Sequence, residues 1–215
     1  MRLHPTHWLR PPGPMAAGMR IGLLGGSFNP AHEGHQYVSE VALRQLKLDY
    51  VWWLVSPQNP LKPEAGMAPL GERLAGAAAR FEQHPRIRVL DVETALGTRY
   101  TIDTLTALKR RFPAVKFVWL MGTDNLASFR HWKRWADIAR LVPIAMVIRP
   151  GSTLAPLYSK PMQRFGRRDP ASFARLALTD PPALAVLDGR RNGASSTAIR
   201  AQTRQDEGLL HTIPA

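Results

Sequence analysis

The sequence predicts an α/β protein: one mostly parallel sheet, doubly wound, with helices on both faces. Short runs of apolar, β-branched and aromatic residues recur along the chain, and helix-like patterns fill most of the intervals between them. The runs are near-continuously apolar, as expected of strands whose sheet is covered on both faces. Together these features imply repeated βαβ units and a Rossmann-like layer. In such layers ligands bind beyond the carboxyl ends of the strands.

The first strand is Arg20–Leu24, and the helix Gly34–Leu46 begins beyond a turn rich in glycine and histidine. Tyr50–Val55, aromatic and β-branched, is the second strand. Ser56–Pro69 is rich in proline and reads as a loop over the site, not a linker. The helix Leu70–Phe81 and the strand Ile87–Leu90 follow. In the helix Thr101–Phe112, the residues Ile102, Leu105, Leu108 and Phe112 recur at helical spacing and face the sheet. Lys116–Met121 and Ile144–Ile148 are the next strands, separated by the helix Trp135–Leu141. Pro150–Pro170 reads as a second loop over the site, Ser172–Leu178 as a helix and Ala183–Leu187 as the last strand. A final helix opens at Ser195–Ser196. Three unusual segments directly follow strands: Gly25–His35, Gly122–Trp132 and Arg149–Gly151. That placement predicts a single site.

The chain has 215 residues, 45% hydrophobic and 21% charged, which fits one globular domain. Residues 1–18 carry four prolines and no sustained apolar block, so a flexible extension is expected there, with 19–215 as a single domain. Met15 and Met19 both precede the first strand and raise the question of a downstream start. Cysteine is absent, which excludes disulfides and thiolate metal sites and makes the cytoplasm the expected compartment. The apolar runs Val51–Val55 and Phe117–Met121 are far shorter than the ~20 residues of a membrane span, so no membrane association is expected. A net charge of +13 attracts polyanions. The arginine pairs at 110–111, 167–168 and 190–191 lie in different segments, however, so no specific nucleic-acid binding is expected.

Residues 25 to 35 read Gly-Gly-Ser-Phe-Asn-Pro-Ala-His-Glu-Gly-His, directly behind an apolar strand. Paired glycines let the backbone approach a ligand, and His32 and His35 face the same way once a helix begins. The helix start adds free N–H groups and a positive dipole end. The turn is neither GxGxxG nor a P-loop. Near the other end, Ser195 and Ser196 suit a helix cap that binds an anion, with Arg200 a turn later able to fork over the same phosphates.

The first string resembles the HxGH signature of the nucleotidyltransferase superfamily, and Ala194–Arg200 resembles its ISSTxIR motif. Asn59-Pro60-Leu61-Lys62, then Arg99–Leu105, then Met121–Leu126 with Trp132 and Trp135, resemble bacterial nicotinate mononucleotide adenylyltransferase. The likeness runs from Met19 to the carboxyl end. It implies adenylyl transfer from ATP to nicotinate mononucleotide, giving nicotinic acid adenine dinucleotide and pyrophosphate in NAD synthesis. It also implies roles. His32, His35 and Arg200 would be catalytic, and Gly25, Gly26, Ser27, Phe28, Asp124, Ser195 and Ser196 would join them in binding ATP. Trp132 would stack on the pyridine ring, and the backbone at Thr101 and Lys133 would hold its carboxylate. Lys62 and Arg149 would contact phosphate. Mg²⁺ is expected to arrive with ATP, held by phosphates and water, because the sequence offers no dense carboxylate cluster.

Plainer readings stand beside these. Trp132 and Trp135 also suit a core, Asp124 a helix cap, Lys62 a solvated loop, and Asp103 simple helix surface. Asn29 occupies a position where many members of the family have aspartate, which weakens any metal role there. Rival acceptors are nicotinamide mononucleotide, phosphopantetheine and flavin mononucleotide. A rival class is a basic nucleic-acid-binding module.

Overall fold

The computed structural model describes residues 16–57, 66–81, 84–148, 158–165 and 170–187. Six strands form one sheet in the order β3-β2-β1-β4-β5-β6. They are β1 (Arg20–Gly26), β2 (Tyr50–Val55), β3 (Ile87–Leu90), β4 (Lys116–Gly122), β5 (Ile144–Val147) and β6 (Leu184–Leu187). Every adjacent pair is parallel, so the expected mostly parallel sheet is wholly so among the described residues. The order reverses beside β1, which pairs with β2 on one side and β4 on the other. A crevice beyond the carboxyl ends of β1 and β4 follows from that reversal.

Alternate residues of each strand feed two apolar layers. Leu24, Val51, Trp53, Val55, Val118 and Leu120 join Val38, Val41 and Ala42 of α1 (Glu33–Gln45) and Ala77 of α2 (Leu70–Phe81) on one face. Leu23, Trp52, Leu54, Phe117, Trp119 and Met121 pack on the other. That second face is covered by α3 (Val92–Leu96), α4 (Thr101–Arg111), α5 (Thr123–Phe129), α6 (Trp135–Leu141) and Met162 of α7 (Lys160–Phe165). The predicted stripe of α4 is buried at Ile102, Leu105 and Leu108, while Phe112 is half-buried with its edge toward Trp52.

Two short helices had no counterpart in the sequence reading. α3 holds five residues, too few to show a helical period. α5 is the helix expected after the fourth strand, with Asp124 in its first turn. α7 lies inside the stretch read as a loop from Pro150 to Pro170, and its proline is tolerated because Pro161 sits in the first turn. The segment Pro170–Leu178 winds as a 3₁₀ helix where Ser172–Leu178 was expected to be α-helical. No helix among the described residues is long and apolar enough to cross a membrane.

Candidate functional site

The chain leaves β1 through Ser27 and Phe28 and enters α1 at His32. His32 is the N-cap: its Nδ1 accepts from the Gly34 N–H at 3.0 Å. His35 answers it, its Nδ1 accepting from the His32 N–H at 3.3 Å. A reciprocal capping box is thus built from two imidazoles, with ring centroids 3.9 Å apart. Because both Nδ1 atoms accept, each neutral ring carries its proton on Nε2. The histidines therefore present Nε2–H donors beside the positive end of a thirteen-residue helix.

An aromatic stack fixes the turn from behind. Phe28 stands at φ 47°, a left-handed conformation that is costly for a bulky side chain. Its ring lies 4.6 Å from Trp53, nearly parallel at 12°, and 4.7 Å from His35. Trp53 is itself tied to α1, since its Nε1–H donates to Ser39 Oγ at 2.8 Å. Asn29 reaches the other way: its amide donates to the Gly66 carbonyl at 3.0 Å, and its oxygen accepts from the Ala68 N–H at 3.3 Å. A carboxylate could accept from Ala68 but could not donate to Gly66.

The glycine pair serves packing as well as approach. A Cβ at Gly25 would meet Trp119 Cη2 at 2.5 Å, so the indole fills the space a side chain would need. At Gly26 the nearest atom is Phe28 Cε2 at 3.4 Å, an ordinary contact. Trp119 then touches the next wall of the crevice, standing edge-on to Trp132 at 6.1 Å.

Trp132 occupies the turn between α5 and α6 rather than a helix, half-buried against Phe129 and Trp119. Lys133 beside it pairs with Asp103 Oδ2 at 3.2 Å and lies 4.2 Å above the Tyr100 ring. This latch draws the Trp132 turn onto the first turn of α4. Tyr100 is the N-cap of α4 but makes no side-chain cap bond, and the first intrahelical donors are Asp103 and Thr104. The N–H groups of Thr101 and Ile102 have no acceptor among the described residues, as at any uncapped helix start. Asp124 does not cap α5; Gly122 holds the N-cap position and Asp124 is exposed in the first turn. Trp135 packs edge-on to Phe129 and Phe165, which fits its core reading.

A polar chain that sequence reasoning missed runs beneath these walls. Glu93 is buried, receiving hydrogen bonds from Thr104 at 3.5 Å and from the Ser56 side chain, and burial raises its carboxyl above the ordinary range. The Ser56 carbonyl in turn accepts from Arg73 at 2.7 Å. Burial lowers the Arg73 guanidinium from its ordinary value, and it remains charged at neutral pH. Nothing in the spacing of α2 marked that arginine as inward-facing. Asp103, read as plain helix surface, is the partner of Lys133. Lys62, Arg149, Ser195, Ser196 and Arg200 lie outside the described residues.

Among the described residues no cluster of three His, Asp or Glu side chains could hold a metal ion. The one acidic side chain in the first turn of α1, Glu33, faces Arg80 at 3.6 Å. The arrangement suits anions: two imidazole donors beside the helix start at α1, and a second helix start at α4.

Comparison with known proteins agrees with this reading. The cytidylyltransferase-like family model matches residues 23–202. A "Probable nicotinate-nucleotide adenylyltransferase" of Parvibaculum lavamentivorans is 54% identical, over 86% of this chain and 93% of its own length. The protein of the same name from a Caulobacter species is 52% identical, over 88% of this chain and 100% of its own. Among solved structures, the nicotinic acid mononucleotide adenylyltransferase of Plasmodium falciparum in complex with NaAD superposes with a TM-score of 0.64 at 16% identity. It covers 85% of this chain and 83% of its own, and at that identity it speaks for the fold. With the signature turn folded as a histidine capping box at the switch point, and relatives alike over nearly their whole length, the chain belongs to the nicotinate-nucleotide adenylyltransferases of the cytidylyltransferase-like family.

Proposed function

We propose that this chain transfers the adenylyl group of ATP to nicotinate mononucleotide, releasing pyrophosphate and forming nicotinic acid adenine dinucleotide for NAD synthesis. The observation that carries the reading is the His32–His35 capping box, which sets two Nε2–H donors side by side at the amino end of α1. In the reaction a 5′-phosphate oxygen of the mononucleotide attacks the α-phosphorus, and the bond to the bridging oxygen of pyrophosphate breaks. The nucleophile is already an anion, so no protein nucleophile is required. What the protein supplies is alignment and compensation of charge on the moving phosphates.

In this reading His32 and His35 donate to the triphosphate, and Gly25, Gly26, Ser27 and Phe28 line the nucleotide. Asp124, exposed at the start of α5, receives a ribose or adenosine edge. Ser195, Ser196 and Arg200 close over the phosphates, with Lys62 and Arg149 as further contacts. Trp132 stacks on the pyridine ring. The unpaired N–H groups at the start of α4, with the backbone at Lys133, take the carboxylate. Magnesium enters as part of the ATP complex, carried by phosphate oxygens and water. A cytoplasmic location fits substrates of this kind.

The test is pyrophosphate release from ATP and magnesium with either nicotinate or nicotinamide mononucleotide. Release that is several-fold faster with the acid is expected. Equal rates would overturn the carboxylate subsite, and no release with either would overturn the reaction.

A further inference from the structure

We infer that Arg73, which lies behind the phosphate turn, is the positioning residue that aims the Phe28 amide at the nucleotide phosphates. The inference rests on the adenylyl-transfer reading for the identity of the ligand but on separate observations for the role. Arg73 is 4% exposed and donates to four main-chain carbonyls from three segments. Nε reaches Ala68 O at 2.8 Å, Nη1 reaches Ser27 O and Ser56 O at 2.7 Å each, and Nη2 reaches Pro57 O at 2.9 Å. No carboxylate pairs with it among the described residues. A buried guanidinium held only by carbonyl oxygens keeps its full positive charge beneath the turn.

The bond to Ser27 sets a direction. The Ser27–Phe28 peptide is not among the cis bonds, and in a trans peptide the C=O and the following N–H point opposite ways. With the Ser27 carbonyl turned in toward Arg73, the Phe28 N–H is turned away from it. That N–H has no acceptor among the described residues, although Phe28 is 1% exposed. A buried backbone donor without an acceptor is rare in folded proteins, and one placed two residues beyond the end of β1 is suited to an incoming oxyanion. The left-handed φ of Phe28 is what the guanidinium and the Trp53 stack together hold in place.

Two measurements test this. In the wild-type protein, pyrophosphate alone should shift the Phe28 amide resonance in ¹⁵N–¹H spectra, and ATP should do the same. An unmoved Phe28 amide at saturating ATP would overturn the proposal. R73K keeps a charge but not the planar fork, and should weaken ATP binding about 10-fold or more while leaving nicotinate mononucleotide binding within about two-fold. R73M should be weaker still for ATP. A folded R73K that binds ATP like wild type, or that loses both substrates equally, would overturn the role. If neither variant folds, the wild-type protein still decides: pyrophosphate that shifts the Phe28 amide should also shift the Arg73 side-chain N–H resonances, and unmoved Arg73 resonances would overturn the role. Absence of pyrophosphate release by the wild type would instead strike the reaction, and the Phe28 shift would still report the turn.

Discussion

Replacing Gly25 by alanine probes the packing that joins the two halves of the site. The added Cβ would stand 2.5 Å from Trp119 Cη2 and 3.0 Å from Cζ2, whereas carbon atoms rest at about 3.5–4.0 Å. About 1 Å must therefore be gained. The indole is rigid, 2% exposed and braced edge-on by Trp132, so relief requires moving a buried ring or bending β1. Overpacking of this kind costs about 1–3 kcal/mol. For a chain of this size that corresponds to a fall in Tm of roughly 2–12 °C. Because Trp119 leans on Trp132, the displaced ring should also raise KM for nicotinate mononucleotide more than KM for ATP. Thermal unfolding and steady-state pyrophosphate release measure both effects. G26A is the control: its Cβ would lie 3.4 Å from Phe28, and its stability should stay within about 0.5 kcal/mol of wild type. A G25A protein with wild-type Tm and unchanged Michaelis constants would refute the packing account.

His35→Ala should lower kcat by about 10²–10³, and His32→Ala should do the same while also losing about 1 kcal/mol of stability as an N-cap; pyrophosphate release and thermal unfolding separate the two effects. Near-normal turnover in both variants would end the phosphate role. Trp132→Ala should raise KM for the pyridine nucleotide and spare ATP, and equal damage to both substrates would favour a purely structural ring. Glu93 holds its proton more tightly folded than unfolded, so its contribution to stability declines as pH rises from the ordinary glutamate value through its raised one. Glutamine cannot ionise. The stability of Glu93→Gln relative to wild type should therefore improve as pH rises from the ordinary glutamate value through the raised one, and a pH-independent difference in thermal unfolding would refute the assignment.

Tyr50–Val55 was legible as a strand to the residue because an uninterrupted apolar run has one cheap solution, the interior of a covered parallel sheet. Ile87–Leu90, broken by Arg88 and lying at the sheet edge, was legible from its β-branched residues. The Gly25–His35 string was legible as a strand-to-helix turn because its signals are local: glycine, proline and a helix start lie within one stretch of chain. Arg73 was not. Its pattern in α2 is that of any amphipathic helix, and only the convergence of Ser27, Ser56, Pro57 and Ala68 gives an inward-facing guanidinium enough acceptors. The short helices α3 and α7 escaped notice because tertiary contacts, not periodicity, hold them.

The sequence by itself determined the fold class and the family to which the chain belongs, since strand and helix patterns and each of the motifs are local strings. Tertiary structure decided what meets across distance. Trp119 links Gly25 to Trp132, Lys133 latches onto Asp103 and Tyr100, and Arg73 gathers four carbonyls beneath the turn. The four partners of the arginine alone lie 5, 16, 17 and 46 positions away, and no local pattern encodes which of many possible partners will face one another. Only the register of the folded sheet does.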